Sequence, residues 1–228
     1  MTIGFSAASS ASGVSHSWHA MAAKVQFACA AVLLACHSLA AAPAAPAAPA
    51  APQLPAITEN SFRCVTQMTQ VRHYYVDNLA GNLAGTVHAA ESTSGEPYPV
   101  GSVLQLVPTE VMVKREKGFN AATHDWEFFE LDVSADGTKI RTRGFAEVVN
   151  RFGGNCFACH IKAQSQWDLI CDNSHGCDPI PLTRAMTGAL ARTDPRCKNS
   201  GPPSPEDAAA LAQLGALMKA GAAGAAKK

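Results

Sequence analysis

The sequence predicts an α+β domain, in which an antiparallel β-sheet is followed by a helical segment near the C-terminus. Two observations indicate this class. Between residues 71 and 142, alternating apolar and β-branched residues are typical of consecutive strands. After Gly144 the pattern changes, and residues 182–192 have the apolar spacing of a short amphipathic helix that ends before Pro195.

Several segments in the first region have the composition of strands. They are rich in β-branched and aromatic residues and span 71–76, 102–107, 110–114, 126–132 and 138–142. Pro108 separates the second from the third, and Asp136-Gly137 between the last two is a strong hairpin signal. Together they predict a sheet built from consecutive hairpins. Residues 78–92 are less regular and are compatible with a helix.

Composition divides the 228 residues into four parts. Residues 1–40 are predicted to be an upstream extension and a signal peptide, because Lys24 precedes an apolar run too short to span a bilayer. Residues 41–57 form an Ala- and Pro-rich linker, residues 58–200 one domain of ordinary size, and residues 201–228 an Ala- and Gly-rich tail. We therefore expect the domain to be exported to the periplasm.

A second interpretation of the leader ties the chain to a membrane. Residues 33–36 approximate a lipobox in which Cys36 would be acylated, so membrane contact is expected only if Cys36 is lipidated. The formal net charge is +0. A neutral chain gives no electrostatic reason for a nucleic-acid partner, and none is expected.

Eight cysteines are many for an intracellular protein and fit an exported one. Two lie in the leader and two in a separate motif, which leaves Cys64, Cys171, Cys177 and Cys197. An even number in an exported chain indicates disulfides, and four cysteines allow three pairings. We favour Cys171–Cys177 as a local loop and Cys64–Cys197 as a link between the ends of the domain.

The segment Cys156-Phe-Ala-Cys159-His160 has the pattern by which haem is attached in c-type cytochromes. Two thiols three positions apart on a helical turn can each add to a haem vinyl group, and His160 then lies beneath the iron as an axial ligand. A thioredoxin-like dithiol would need an alternating βαβ pattern, and a structural zinc site a second ligand pair at suitable spacing. The sequence favours one covalently attached haem c, with His160 as the metal ligand.

The group on the other side of the iron would decide what the haem does. A Met or a second His favours electron transfer, whereas an open position favours the binding of small ligands. The candidates beyond the leader are Met68, Met112, Met186, His73, His88, His124 and His175. None lies in a motif that marks a ligand, so we expect an open or water-bound site.

Four pieces of the chain resemble, in this order, the cytochrome P-460 and cytochrome c′-beta family. They are Arg72–Asp77, Tyr98–Val103, Val111–Lys114 with Asp125-Trp126, and Cys156–Ala163 with Trp167–Ile170. The resemblance runs from about Phe62 to Cys197. It implies a small exported β-sheet protein, usually a homodimer, whose five-coordinate haem meets nitrogen oxides. We therefore expect a ligand such as nitric oxide, with a redox partner protein as a further option.

Cytochrome P-460 itself oxidises hydroxylamine and carries a Lys cross-linked to the haem. Leu106 stands at the matching place here, so the resemblance implies binding without turnover and leaves open whether the chain is an enzyme. The alternatives are an electron-transfer cytochrome with a six-coordinate haem and a hydroxylamine-oxidising enzyme.

Three further residues carry expectations about their surroundings. Arg72 matches a family Arg near the haem pocket, where it would contact a propionate or orient a distal ligand. Its alternative is a solvated charge at a strand end. Lys114 is expected at the surface of an amphipathic strand, and Trp126 in the core.

Overall fold

The computed structural model of the chain describes residues 54–198 and 201–225. The predicted extension and signal peptide, with Cys36, and most of the Ala/Pro linker lie outside these residues. Within them the fold is α+β, as predicted, with a six-stranded antiparallel sheet and four α-helices. No helix in the described ranges is long and apolar enough to cross a membrane.

The strands follow one another in the sheet in chain order, and each pairs antiparallel with its neighbours. They are β1 (Thr69–Val71), β2 (Tyr74–Asn78), β3 (Ser102–Val107), β4 (Glu110–Lys114), β5 (Trp126–Ser134) and β6 (Gly137–Gly144). The helices are α1 (Leu83–Glu91), α2 (Cys156–His160), α3 (Arg184–Arg192) and α4 (Pro205–Ala225). Short 3-10 helices span Glu59–Ser61, Val65–Gln67, Ala121–Thr123 and Ser165–Trp167.

The predicted strands β3 and β4 are observed with the expected bounds, and the hairpin between β5 and β6 turns where Asp136-Gly137 indicated. The irregular region 78–92 contains α1, which Asn82 caps by accepting a hydrogen bond from the Gly85 backbone. Gly101, just before β3, has a φ of +87°, and a Cβ there would lie 2.7 Å from the Ala80 nitrogen. Only glycine fits this turn without strain.

One predicted strand is wrong: residues 71–76 are not a single strand. The chain reverses at Arg72 and His73, so that Val71 pairs with Tyr74 across a two-residue loop. Such a loop needs a positive φ, which Arg72 adopts at +53°. Arg-His carries none of the Asn, Asp or Gly that mark these turns, so the sequence reads as continuous strand.

The sheet has an apolar core on each face. The first core cluster joins α1 and the loop after α2 to side chains that include Tyr74, Leu104, Met112, Trp126 and Phe128. The second joins the N-terminal segment and α3 to the opposite face, with Val65, Val113, Phe129 and Leu131 essentially inaccessible. Because strand side chains alternate between faces, each of the strands β2 to β5 contributes to both cores.

The Ala- and Gly-rich tail contains α4, which packs against α3 through Met186, Ala189, Ala210 and Leu214. Arg192 of α3 donates to the Asp207 carboxylate of α4 at 2.6 Å.

Both favoured disulfides are present. Cys64 and Cys197 are joined, and Cys171 and Cys177 close a short loop. Asp194 lies close to Cys64 and Cys197. The sulfurs of these two cysteines are joined in the disulfide, so they are not thiolates that could bind a metal.

Candidate haem-attachment site

The Cys156–His160 segment forms one helical turn, α2, on the first core face of the sheet. Asn155 caps the turn by accepting a hydrogen bond from the Ala158 backbone at 2.8 Å. The Cys156 amide donates to the Val148 carbonyl at 3.0 Å. Two hydrogen bonds therefore fix the start of the turn, one to the Asn155 side chain and one to the backbone of the preceding loop.

Cys156 and Cys159 remain unpaired, while every other cysteine of the described residues is in a disulfide. Both are half-buried. Burial, together with the nearby Glu110 and Glu130 carboxylates, raises the pKa of the Cys156 thiol to about 12. Burial also raises the pKa of the Cys159 thiol. Redox-active dithiols depend on a lowered thiol pKa, so these two are poorly suited to disulfide exchange.

His160 is held through one of its two ring nitrogens. Nδ1 lies 2.7 Å from the backbone carbonyl oxygen of Leu169. A carbonyl only accepts, so Nδ1 carries the proton, and in the neutral ring Nε2 keeps its lone pair. Burial lowers the pKa of His160, which favours this neutral form. This is how proteins commonly orient a histidine that ligates a metal.

The Leu169 carbonyl is positioned by an unusual stretch of backbone. Asp168 and Leu169 both adopt positive φ, +49° and +64°, which is uncommon outside glycine and costs energy. The conformation is held by hydrogen bonds from the sheet. The Trp126 indole donates to the Asp168 carbonyl at 2.8 Å, and the Tyr98 amide donates to its carboxylate at 2.9 Å.

A further contact of Asp168, with Lys114, shows that the expected position of Lys114 is wrong. Its ammonium is not at the surface but buried, and donates to both Asp168 carboxylate oxygens at 2.8 and 2.7 Å. It also donates to the His124 carbonyl at 2.7 Å. A buried charge pair is tolerated when its remaining donors and acceptors are satisfied in this way. Trp126 is in the core, as expected.

The surroundings of α2 are apolar. The Phe128 ring lies 5.4 Å from the His160 ring and 6.4 Å from that of Phe157, measured between centroids. Leu83, Val87, Leu106, Cys156 and Phe157 are partly buried members of the same cluster. Leu106 thus lies in the same apolar cluster as Cys156.

These features suit a covalently attached haem. Two unpaired thiols three residues apart would form the thioethers, His160 would offer Nε2 to an iron, and the apolar side chains around α2 would contact the macrocycle. The fit rests on the two thiols, on the His160 ring and on the hydrogen bond between His160 Nδ1 and the Leu169 carbonyl.

Arg72 is placed elsewhere. Its guanidinium donates to the Asp172 carboxylate at 3.0 Å and to the Ser92 carbonyl at 3.1 Å. Within the described residues these hydrogen bonds do not reach α2. The structure brings together Cys156, Cys159 and His160, but does not join Arg72 to them.

The candidate second iron ligands are distributed over several environments. Met68 lies in the second core cluster and Met186 between α3 and α4. The imidazole of His175 stacks on Trp167, with ring centroids 3.7 Å apart, and its Nδ1 bonds to the Ile170 carbonyl. Met112 belongs to the same apolar cluster as Cys156.

The remaining histidines pair with acids or lie in turns. His73 approaches Asp172, His88 approaches Glu96, and His124 adopts a left-handed backbone beside Asp168. Met112 is therefore the Met candidate that shares the face carrying α2.

Two groups near the thiols were missed by reasoning from the sequence. The Asp168-Leu169 pair has no side-chain pattern that reveals a positive φ. Glu110 and Glu130 face each other across β4 and β5, on strands where alternation predicts an apolar inward position. The Glu130 side chain is fully buried, with Arg151 donating to one carboxylate oxygen at 2.6 Å.

Comparison of the chain with protein-family models, with curated proteins and with solved structures found no match. The function is therefore argued from the residues of α2 and of the segment that supports it.

Proposed function

We propose that this protein is an exported mono-haem c-type cytochrome. Cys156 and Cys159 would form the two thioethers and His160 would ligate the iron through Nε2. The observation that carries the proposal is the 2.7 Å contact of His160 Nδ1 with the Leu169 carbonyl, beside two thiols that stay unpaired in a disulfide-containing chain. Export to the periplasm is supported by the leader sequence and the disulfides.

The chain's own contribution is to orient His160. The Leu169 carbonyl selects the ring tautomer, and the Lys114–Asp168 pair with the Trp126 indole holds the backbone that carries this carbonyl. When bound, the haem supplies an iron that changes oxidation state and binds small ligands. The apolar face around Phe128 and Leu106 would admit a neutral diatomic molecule more readily than a charged one.

We further propose membership of the cytochrome P-460 and cytochrome c′-beta class, as a homodimer that binds nitric oxide at an open iron. The order of the four resembling segments and the antiparallel sheet support this assignment. Leu106 has no amine to cross-link to the macrocycle, which disfavours hydroxylamine oxidation.

A second candidate function is electron transfer with a six-coordinate haem. Met112 favours it, because this thioether lies in the apolar cluster that contains Cys156. A redox partner protein would then replace the gaseous ligand.

The optical spectrum of the protein, produced with a c-type haem maturation system, tests these proposals. We expect covalent haem that survives denaturation, and its loss in Cys156→Ala and Cys159→Ala variants. His160→Ala should remove the axial ligand, whereas His88→Ala, an exposed control, should leave the spectrum unchanged. Protein that never acquires covalent haem would overturn the assignment.

Nitric oxide and a Met112→Leu variant separate the two functions. A high-spin spectrum that responds to nitric oxide and is unaffected by the Met112 change supports an open site. A low-spin spectrum that becomes high-spin only in Met112→Leu supports electron transfer.

A further inference from the structure

A cleft of about 250 Å³ opens between the β1–β2 hairpin and α3. Arginines and polar side chains line it: Gln70, Arg72, His73, Tyr75, Arg184 and Arg192. Tyr75 and α3 pack on the second core cluster, whereas Cys156 belongs to the first. On its α3 side the cleft adjoins the second core cluster, whereas Arg72 and His73 contact Asp172 in the loop that follows α2.

Three arginines line the cleft, and no carboxylate is among its lining residues. Arg72 and Arg192 are each held by an acid that does not line it, Asp172 and Asp207. Arg184 has no carboxylate partner among the described residues. An anion bound in the cleft would give the Arg184 charge the partner that the two other arginines already have.

The polar residues are placed to donate to such an anion. The Tyr75 phenol keeps its proton at neutral pH and can donate, and burial raises its pKa further. Gly188 also lines the cleft, and a Cβ built there would lie 3.0 Å from an Arg192 guanidinium nitrogen. The glycine therefore leaves room for this guanidinium to lie against the helix.

We propose that this cleft binds a small oxyanion, either a carboxylate or a phosphate-like ion. A planar guanidinium presents paired N–H donors that match two oxygens of such a group. Three arginines on two segments, the β1–β2 hairpin and α3, form with a phenol and an amide a site for an anion with several oxygens. The site does not depend on the proposed haem, so either proposal can fail without the other.

Isothermal titration of the full chain with inorganic phosphate and, separately, with malonate tests the site at constant ionic strength. We expect at least one anion to bind, and the two arms to distinguish a phosphate-like ligand from a dicarboxylate. Arg184→Gln should weaken binding about tenfold, the value for one lost charge-assisted hydrogen bond. Arg141→Gln, which removes the same charge from an arginine paired with Asp132 on another strand, should leave the affinity unchanged.

Gly188→Ala provides a second test that removes no charge. The new methyl group displaces the Arg192 guanidinium, so affinity should fall severalfold while the circular dichroism spectrum is retained. Absence of binding by either anion would overturn the proposal. So would equal affinities of the Arg184 and Arg141 variants, or binding of an acidic polypeptide alone.

Discussion

At the scale of single residues, the buried Lys114–Asp168 pair links the sheet to the segment that orients His160. Its side chains are only 11% and 8% exposed, so removing one leaves the other charged and desolvated. Asp168 then loses its strongest partner, although the Tyr98 amide still reaches it.

Replacing Lys114 with Met should therefore lower the free energy of unfolding by about 3 kcal/mol, the usual cost of breaking a buried pair. Urea denaturation measures this change. Lys139→Met is the matched control, because Lys139 is exposed on β6 and its loss should cost less than about 0.5 kcal/mol. Equal stability of the two variants would mean that the pair does not hold Asp168 in place.

A second residue, Glu110, should make stability depend on pH. Burial first, then the facing Glu130 carboxylate, raises its pKa from 4.5 to about 7, against the opposing effects of Arg151 and Asn150. The fold favours the protonated acid, so this stabilisation is complete below pH 4.5 and is lost as the pH rises through 7. The loss amounts to about 3 kcal/mol.

Glu110→Gln should remove that part of the pH dependence, because a neutral amide does not titrate. The difference in unfolding free energy between pH 4.5 and pH 8, measured in urea, gives the result. Glu91→Gln, at the exposed end of α1, is the control that should keep the dependence of the unmodified protein. If the unfolding free energy of Glu110→Gln changed with pH as it does in the unmodified protein, the Glu110 carboxyl would not be the titrating group.

At the scale of elements, the central strands could be predicted because their signals are local. Alternation and the Pro108 break define β3 and β4, and Asp136-Gly137 defines the last hairpin. The turn at Arg72 and the burial of Lys114 could not be predicted. Both depend on partners distant in sequence, Asp172 and Asp168, which only the fold brings near.

The same reasoning applies within the candidate site. The Cys156–His160 motif could be recognised in the sequence because its proposed chemistry depends only on the spacing of residues within one helical turn. The Leu169 carbonyl is backbone, and any residue at that position would provide one. Its role follows from the left-handed conformation that the Trp126 and Lys114 contacts enforce, so no residue type marks it.

The two disulfides should differ in their effect, because they close loops of different length. The Cys64–Cys197 bond spans 133 residues and the Cys171–Cys177 bond only 6. Chain entropy predicts losses of about 5 and about 2 kcal/mol when each pair is replaced with serines. Urea unfolding of the two double variants tests the order, and equal losses would contradict the entropic account.

At the scale of the whole molecule, the sheet separates two regions of different chemistry. One face carries α2, the unpaired thiols and the Glu110–Glu130 pair, while the N-terminal segment and α3 pack on the other. Both faces have their own apolar core. Protein side chains fill both cores, and the Cys64–Cys197 disulfide joins the ends of the domain.

This arrangement predicts that haem-free protein folds and that haem then adds stability. We expect a cooperative thermal transition without haem and a higher Tm with it, because the contacts of an attached haem with His160 and with the apolar cluster would form only in the native state. Alkylation followed by peptide mapping should label Cys156 and Cys159 in the haem-free form alone, because thioethers would block both sulfurs. A haem-free chain without a cooperative transition would contradict this expectation. It would mean that the core forms only when haem is attached to α2.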